Sequence, residues 1–196
     1  MLYIKPTGGL GNYLRVIFSW LSKARSQSQH LTVVWTKTAA CNGNFDDLFE
    51  PVNGMTVVRW TTKPLDYEGC NPCGDYSIVK ELRLKVPLAI ENDLPAAIHV
   101  RGTDFGSVDL TPFTRFIECE DGPVFLATDD AVVQQQLLAK YGDKIRVHEK
   151  IRDNGALRLT SLKQAVIDMY TCVRAERFLG TEKSSFTDII TLLRSN

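Results

Sequence analysis

Apolar and polar positions along this chain follow two rhythms, one of short strands and one of helices. Leu2-Tyr3-Ile4-Lys5 reads as a strand. Beyond it Leu14, Ile17, Phe18 and Leu21 recur at i, i+3, i+4 and i+7, the single apolar stripe of an amphipathic helix. Leu31-Thr32-Val33-Val34-Trp35 is a β-branched run suited to a buried strand. Phe45–Phe49 predicts a short helix stopped by Pro51, and Met55–Trp60 a third strand. The opening third of the chain therefore reads β-α-β-α-β.

Regularity is then lost among Pro64, Gly69, Pro72, Gly74 and Pro87, which predict a connector over residues 61–92. It returns at Ala96-Ala97-Ile98-His99-Val100, a strand, and again at Pro123-Val124-Phe125-Leu126-Ala127, another. Val132, Val133, Gln136, Leu137 and Tyr141 mark a helix, and Lys144–His148 a strand. Leu162, Ala165, Val166, Met169, Tyr170 and Val173 keep helical spacing within a helix predicted over Ser161–Glu176. Arg177-Phe178-Leu179-Gly180 is a last short strand before a C-terminal helix. Strands separated by helices predict an α/β fold with parallel sheets covered on both faces. The restart after residue 92 divides it into two small Rossmann-like lobes, residues 1–92 and 93–196.

Composition narrows the class. A length of 196 residues with 44% hydrophobic positions is that of an ordinary globular chain. With 23 Lys+Arg against 23 Asp+Glu, the net charge of zero argues against a nucleic-acid binder, which tracks phosphates with a basic excess. No apolar run approaches the ~18–20 residues of a membrane span. The start, Met1-Leu2-Tyr3-Ile4-Lys5-Pro6, does not resemble a secretory signal. Five cysteines (Cys41, Cys70, Cys73, Cys119, Cys172) scattered through the chain suggest a reducing compartment, so the expected localisation is cytoplasmic.

In parallel sheets, ligands gather at the carboxyl ends of strands. Four such ends here carry polar or glycine-rich residues. Gly8-Gly9-Leu10-Gly11-Asn12 lies between a strand and a helix, where glycines admit a ligand to the backbone and the helix start offers N–H groups to an anion. It is not a dinucleotide fingerprint, because Leu14 stands where the third glycine belongs. A tight turn with Asn12 as a cap is the alternative. His99-Val100-Arg101-Gly102-Thr103-Asp104 closes a strand, with His99 and Arg101 on one side of it. An arginine there suits a pyrophosphate, since its planar fork grips two oxygens; a surface Arg–Asp pair and a core histidine are the alternatives. Thr128-Asp129-Asp130 could bind base, ribose or a divalent metal, or cap the next helix. Lys183-Ser184-Ser185-Phe186 opens the last helix; Ser185 with Asp188 fits a capping box, and the serines also form a phosphate seat. Cys70-Asn71-Pro72-Cys73 lacks the further ligands of a zinc site, leaving a local disulfide or two thiols.

Taken together and in this order, these segments resemble the fucosyltransferase superfamily, the α1,2-, α1,6- and protein O-fucosyltransferases. Gly8-Gly9-Leu10-Gly11-Asn12 is similar to the family's G-G-L-G-N-Q, with Tyr13 in place of the glutamine. His99-Val100-Arg101-Gly102-Thr103-Asp104 is similar to its H-x-R-R-x-D, with Gly102 in place of the second arginine. Ala127-Thr128-Asp129-Asp130 and Ser184-Ser185-Phe186 are similar to its later nucleotide-contacting motifs.

The resemblance implies a GT-B-like fold, with an acceptor-side lobe at 1–92 and a nucleotide-sugar lobe at 93–196. It implies inverting transfer of fucose from GDP-fucose, as co-substrate, to a glycan acceptor, without a metal or other cofactor. By it, Arg101 neutralises the departing GDP and His99 contacts the nucleotide. Thr128, Asp129 or Asp130 reads guanine or ribose; Ser184, Ser185 and Phe186 seat the β-phosphate; Gly9, Gly11 and Asn12 face the donor from the first lobe. Catalysis would fall to Arg101, Asn12 and Asp104. The general base stays open among Asp104, Asp109, Asp46 and Glu50. Two other readings are a non-catalytic nucleotide-sugar or glycan-binding module and a Rossmann-like oxidoreductase; Leu14 and the lack of a clear ribose-binding acid after the second strand disfavour the latter.

Overall fold

The structure is a computed structural model that describes residues 1–102, 108–149 and 161–195. It divides into two compact units, Met1–Leu88 with the last residues from Ser195, and Ala89–Arg194. Each is an α/β unit built on a four-stranded parallel sheet.

In the first unit, β1 (Leu2–Pro6) runs into α1 (Leu10–Ser26), followed by β2 (Leu31–Val34), β3 (Met55–Val58) and β4 (Tyr67–Gly69). The sheet order is β3-β2-β1-β4. The helical stripe read from the sequence is the buried face of α1, with Leu14, Ile17, Phe18 and Leu21 fully enclosed. An aromatic chain extends this core: Tyr13 meets Trp35 edge-on at 4.7 Å, Trp35 meets Phe45 at 5.5 Å, and Phe45 meets Phe49 at 5.1 Å. The helix expected over Phe45–Phe49 is a single 3₁₀ turn, Phe45–Asp47.

The stretch read as an irregular connector carries local structure. It contains β4, which pairs with β1 from Ile4↔Tyr67 to Pro6↔Gly69, and a 3₁₀ turn over Ser77–Glu81. Arg25 of α1 ties that turn down with two 2.7 Å bonds to the Glu81 carboxylate and a third to the Asn53 carbonyl. A three-residue strand carries no periodicity of its own; pairing with β1 makes it one.

The second unit repeats the plan: β5 (Ala96–Val100), α2 (Thr111–Cys119), β6 (Val124–Thr128), α3 (Ala131–Tyr141), β7 (Ile145–Arg146), α4 (Leu162–Arg174), β8 (Arg177–Gly180) and α5 (Ser185–Arg194). The order is β7-β6-β5-β8. Helix α2, begun by a proline in its first turn, is absent from the periodicity reading above. Its Phe113 and Ile117 join Ile98, Val100, Leu126, Val133 and Leu137 in the core on one face of the sheet. On β5 the odd residues face the other way, where His99 meets α5. Helix α4 starts at a capping box, Ser161 with Gln164. Its end is closed from α5, where the Arg194 guanidinium donates to the carbonyls of Cys172 (2.8 Å), Val173 (3.2 Å) and Glu176 (2.9 Å). Among the described residues no helix is long and apolar enough to cross a membrane.

Both sheets thus place their first strand inside and add the fourth on its far side. The order reverses between β1 and β4 in one unit and between β5 and β8 in the other. Loops leave such a junction in opposite directions and open a crevice at its carboxyl end. The glycine run follows β1; His99–Arg101 ends β5, and Thr181–Phe186 follows β8.

Candidate functional site

In the first unit the turn after β1 is built by its glycines. Gly8 has φ +89°, a conformation costly to any other residue. A Cβ on it would fall 2.6 Å from Nδ2 of Asn12, so the Asn12 carboxamide occupies the space that the glycine leaves. Gly9 caps α1 with no side-chain bond, and no acid stands in the first turn. Asn12 is therefore not the cap; it is the third residue of the helix. Arg15 donates from Nη2 to Asn12 Oδ1 at 3.0 Å. The turn is braced from β4 by the Thr7 amide, which donates to the Gly69 carbonyl at 2.9 Å.

Tyr13, where the resembling motif has glutamine, belongs to the core. Its ring is fully enclosed and its hydroxyl donates to the Thr36 carbonyl at 2.8 Å. Burial, reinforced by the neighbouring Cys41, pushes the phenol up to about 12. Leu14 is fully enclosed too, which explains why the third glycine of a dinucleotide motif is missing.

The second unit brings three of its segments together. His99 and Arg101 at the end of β5 are 6% and 8% exposed. Thr181 staples them to β8: its amide and its hydroxyl both donate to the His99 carbonyl, at 2.9 and 3.0 Å, and its Oγ1 accepts from the Arg101 amide at 2.9 Å. The His99 ring lies 4.8 Å from that of Phe186, and its Nδ1 is 2.8 Å from Thr187 Oγ1. Gly180 permits this contact, since a Cβ there would fall 2.4 Å from Thr187 Cγ2. Thr181 and Thr187 join the candidate site through these bonds, and sequence reasoning missed both; each is a hydroxyl flanking the Lys183-Ser184-Ser185 run.

Thr128-Asp129-Asp130 reaches the same strand end from β6. Asp130 caps α3, its Oδ1 accepting from the amides of Val132 (2.8 Å) and Val133 (3.2 Å). Asp129 Oδ1 accepts from the Gly102 amide at 3.2 Å. The glycine at 102 has a steric cause: a Cβ would lie 2.4 Å from Asp130 Oδ2 and 2.6 Å from its Cβ. A second arginine, as in the resembling motif, has no room here.

At the start of α5 the cap falls one residue before the expected Ser185. Asp188 donates its amide to the Ser184 carbonyl at 2.9 Å, and Ser185 is already helical. Lys183 takes a left-handed conformation, φ +59°, which a lysine adopts at some cost. It turns the chain so that Ser184 points inward. Ser184 is 0% exposed, and its hydroxyl has no hydrogen-bond partner among the described residues. A buried hydroxyl without a partner costs about 1–3 kcal/mol.

Beside these residues lies a cavity of about 290 Å³, walled by Arg101, Phe113, Leu179, Gly180, Thr181 and Glu182. It also touches Asp109, whose Oδ1 accepts from the Thr111 amide at 2.9 Å. The hydroxyl and the amide of Thr111 hold that carboxyl below the usual range, which weakens it as a base. Asp104 lies outside the described residues. Asp46 and Glu50 are exposed acids of the first unit. Cys70 and Cys73 are exposed free thiols. No group of three or more metal-ligating side chains occurs among the described residues.

No family model and no curated protein matches this sequence. Solved structures do match. The crystal structure of fucosyltransferase NodZ from Bradyrhizobium superposes with a TM-score of 0.68 at 17% identity, over 98% of this chain and 92% of that one. NodZ α-1,6-fucosyltransferase soaked with GDP-fucose, and the same enzyme co-crystallized with GDP, each match with a TM-score of 0.67 at 17% identity and the same coverage. At that identity the likeness concerns the fold: two Rossmann-like units with parallel sheets, as in a GT-B-like fucosyltransferase.

Proposed function

We propose that this chain is a glycosyltransferase that moves a sugar, fucose from GDP-fucose, to a glycan hydroxyl, with inversion and without a metal ion. The observation that carries the reading is the fully buried hydroxyl of Ser184, without a hydrogen-bond partner among the described residues, in the segment that follows β8, the strand paired with β5 and so with His99. That group of donors is what a diphosphate needs. Fold likeness to an enzyme soaked with GDP-fucose and co-crystallized with GDP supports the choice of nucleotide. Cys70, Cys73 and Cys119 are exposed free thiols, which fits the cytosolic setting we assign.

In this mechanism the acceptor oxygen forms a bond to the anomeric carbon on the face opposite the nucleotide. The bond from that carbon to the β-phosphate oxygen breaks, its electron pair leaves with GDP, and the hydroxyl proton passes to a base. Arg101 neutralises charge as it develops on the diphosphate, where a fixed cation in a shielded site acts most strongly. Ser184 donates its unused hydroxyl proton to the same group, and Ser185 and the start of α5 complete the seat. His99, held by Thr187 and flanked by Phe186, contacts the nucleotide. Thr128, Asp129 and Asp130 lie toward its base and ribose. Gly9, Gly11 and Asn12 contact the donor.

Calorimetry with GDP, UDP and NAD, followed by assay of GDP release from GDP-fucose with a glycan acceptor, tests the proposal. Preference for GDP together with turnover is the expected result. GDP binding with no turnover under any acceptor would leave a nucleotide-sugar or glycan-binding module instead, and preference for NAD would overturn the reading.

A further inference from the structure

Asn12 sits in an unusual bracket. On one side Arg15 Nη2 donates to its Oδ1 at 3.0 Å. On the other, its Nδ2 lies 2.6 Å from the point that a Cβ on Gly8 would occupy. The two ends of a carboxamide are nearly the same in shape, so sterics alone do not choose between them. Hydrogen bonding does. A guanidinium has five N–H donors and no acceptor, so it can only face the oxygen. Arg15 therefore turns the NH₂ toward the glycine turn.

We infer that Arg15 is a positioning residue that locks the Asn12 carboxamide as a pure hydrogen-bond donor, so that the group Asn12 meets on the bound substrate is an acceptor oxygen. Under the glycosyl-transfer reading, on which this rests, that oxygen belongs to either the diphosphate or the sugar of the donor. Gly8 is the third member of the device, because only the absence of its side chain leaves room for the amide.

The lock is read without ligand from the side-chain amide resonances of Asn12 in ¹⁵N-labelled protein, identified by their loss in Asn12→Ala. Arg15→Met should shift that pair, and Arg15→Lys, which keeps a donor, should shift it less. An unmoved pair in Arg15→Met overturns the lock, whatever the substrate is.

The consequence is read from turnover of GDP-fucose. Arg15→Met should lower kcat/KM about tenfold, the worth of one oriented hydrogen bond, with part of the loss recovered in Arg15→Lys. Combined with Asn12→Ala it should add nothing further, as two residues acting through one contact require. Additive losses, or a change below twofold in Arg15→Met, would reject the positioning role. Asn12→Asp distinguishes the two oxygens: weakened binding of GDP itself points to the diphosphate, whereas unchanged GDP binding with lost turnover points to the sugar. Should the wild-type chain neither bind GDP nor use GDP-fucose, the donor reading falls, while the resonances still decide the lock.

Discussion

Thr187 on α5 holds the ring of His99 on β5, with Oγ1 2.8 Å from Nδ1 across 88 residues of sequence. The bond fixes the orientation of the imidazole against α5. Thr187→Val keeps the shape and removes the bond. It should lower kcat/KM for GDP-fucose by about tenfold, with Thr187→Ser largely restored. Gly180→Ala should reproduce the valine phenotype by pushing Thr187 off the ring. Steady-state kinetics of the three variants, with thermal unfolding as the control for folding, decide the matter.

Gly102 yields a prediction about stability. A side chain there collides with Asp130, which is also the cap of α3. Restoring an arginine at 102, to match the resembling motif, should therefore destabilise the chain. Overpacking costs about 1–3 kcal/mol, and a disturbed cap adds about 1 kcal/mol. Denaturant unfolding of Gly102→Ala and Gly102→Arg checks it. A variant as stable as the wild type would show that Asp130 has room to move.

How much of this was legible beforehand follows from where the physics acts. The helical stripe Leu14-Ile17-Phe18-Leu21 and the strands around Val33, Ile98 and Leu126 were readable because burial imposes a period on sequence. Strand β4 was not, since Tyr67-Glu68-Gly69 is a strand only through its pairing with β1. The site divides likewise. His99, Arg101 and Ser184 stood out as residue types at strand ends. Thr181 and Thr187 did not, because their roles are bonds to residues some eighty positions earlier. Tyr13 and Gly102 looked like lapses from a motif until packing accounted for them.

Tyr13 makes stability depend on alkaline pH. Its phenol is pushed up from 10.0 to about 12 in the folded chain, first by burial and then by Cys41. The unfolded chain therefore loses this proton first as pH rises. Stability is unaffected below pH ~10, falls between pH ~10 and ~12, and loses on the order of 2 kcal/mol across that window. Tyr13→Phe should cost about 1 kcal/mol at neutral pH through the lost bond to the Thr36 carbonyl, yet flatten this limb. Urea midpoints measured at pH 8 and pH 11 for both proteins test the crossing. Parallel curves would mean that Tyr13 ionises as freely folded as unfolded.

Arg101 should be the most sensitive position in the site. Removing one preorganised donor to developing charge typically costs on the order of 10²–10³ in rate, and Arg101→Ala removes a forked cation that is 8% exposed. Turnover of GDP-fucose should fall by that factor, with Arg101→Lys in between, because an ammonium keeps the charge and loses the fork. Activity within a few-fold of wild type in Arg101→Ala would remove the residue from the mechanism.

Ser184 separates a binding role from a structural one by sign. Its hydroxyl is fully buried with no partner among the described residues, so the empty protein bears the cost of a desolvated polar group. If nothing ever binds there, Ser184→Ala removes that cost and alters nothing else. If the hydroxyl waits for a phosphate oxygen, the same change stabilises the free protein and weakens the complex. The expected outcome is an unfolding free energy raised by about 1 kcal/mol together with GDP affinity lowered about tenfold. Opposite shifts of this kind arise when a residue is kept for its ligand at the expense of the fold. Unchanged GDP affinity in a stabilised Ser184→Ala protein would strip the site of its phosphate seat; lowered stability would mean that the hydroxyl already has a partner in solution.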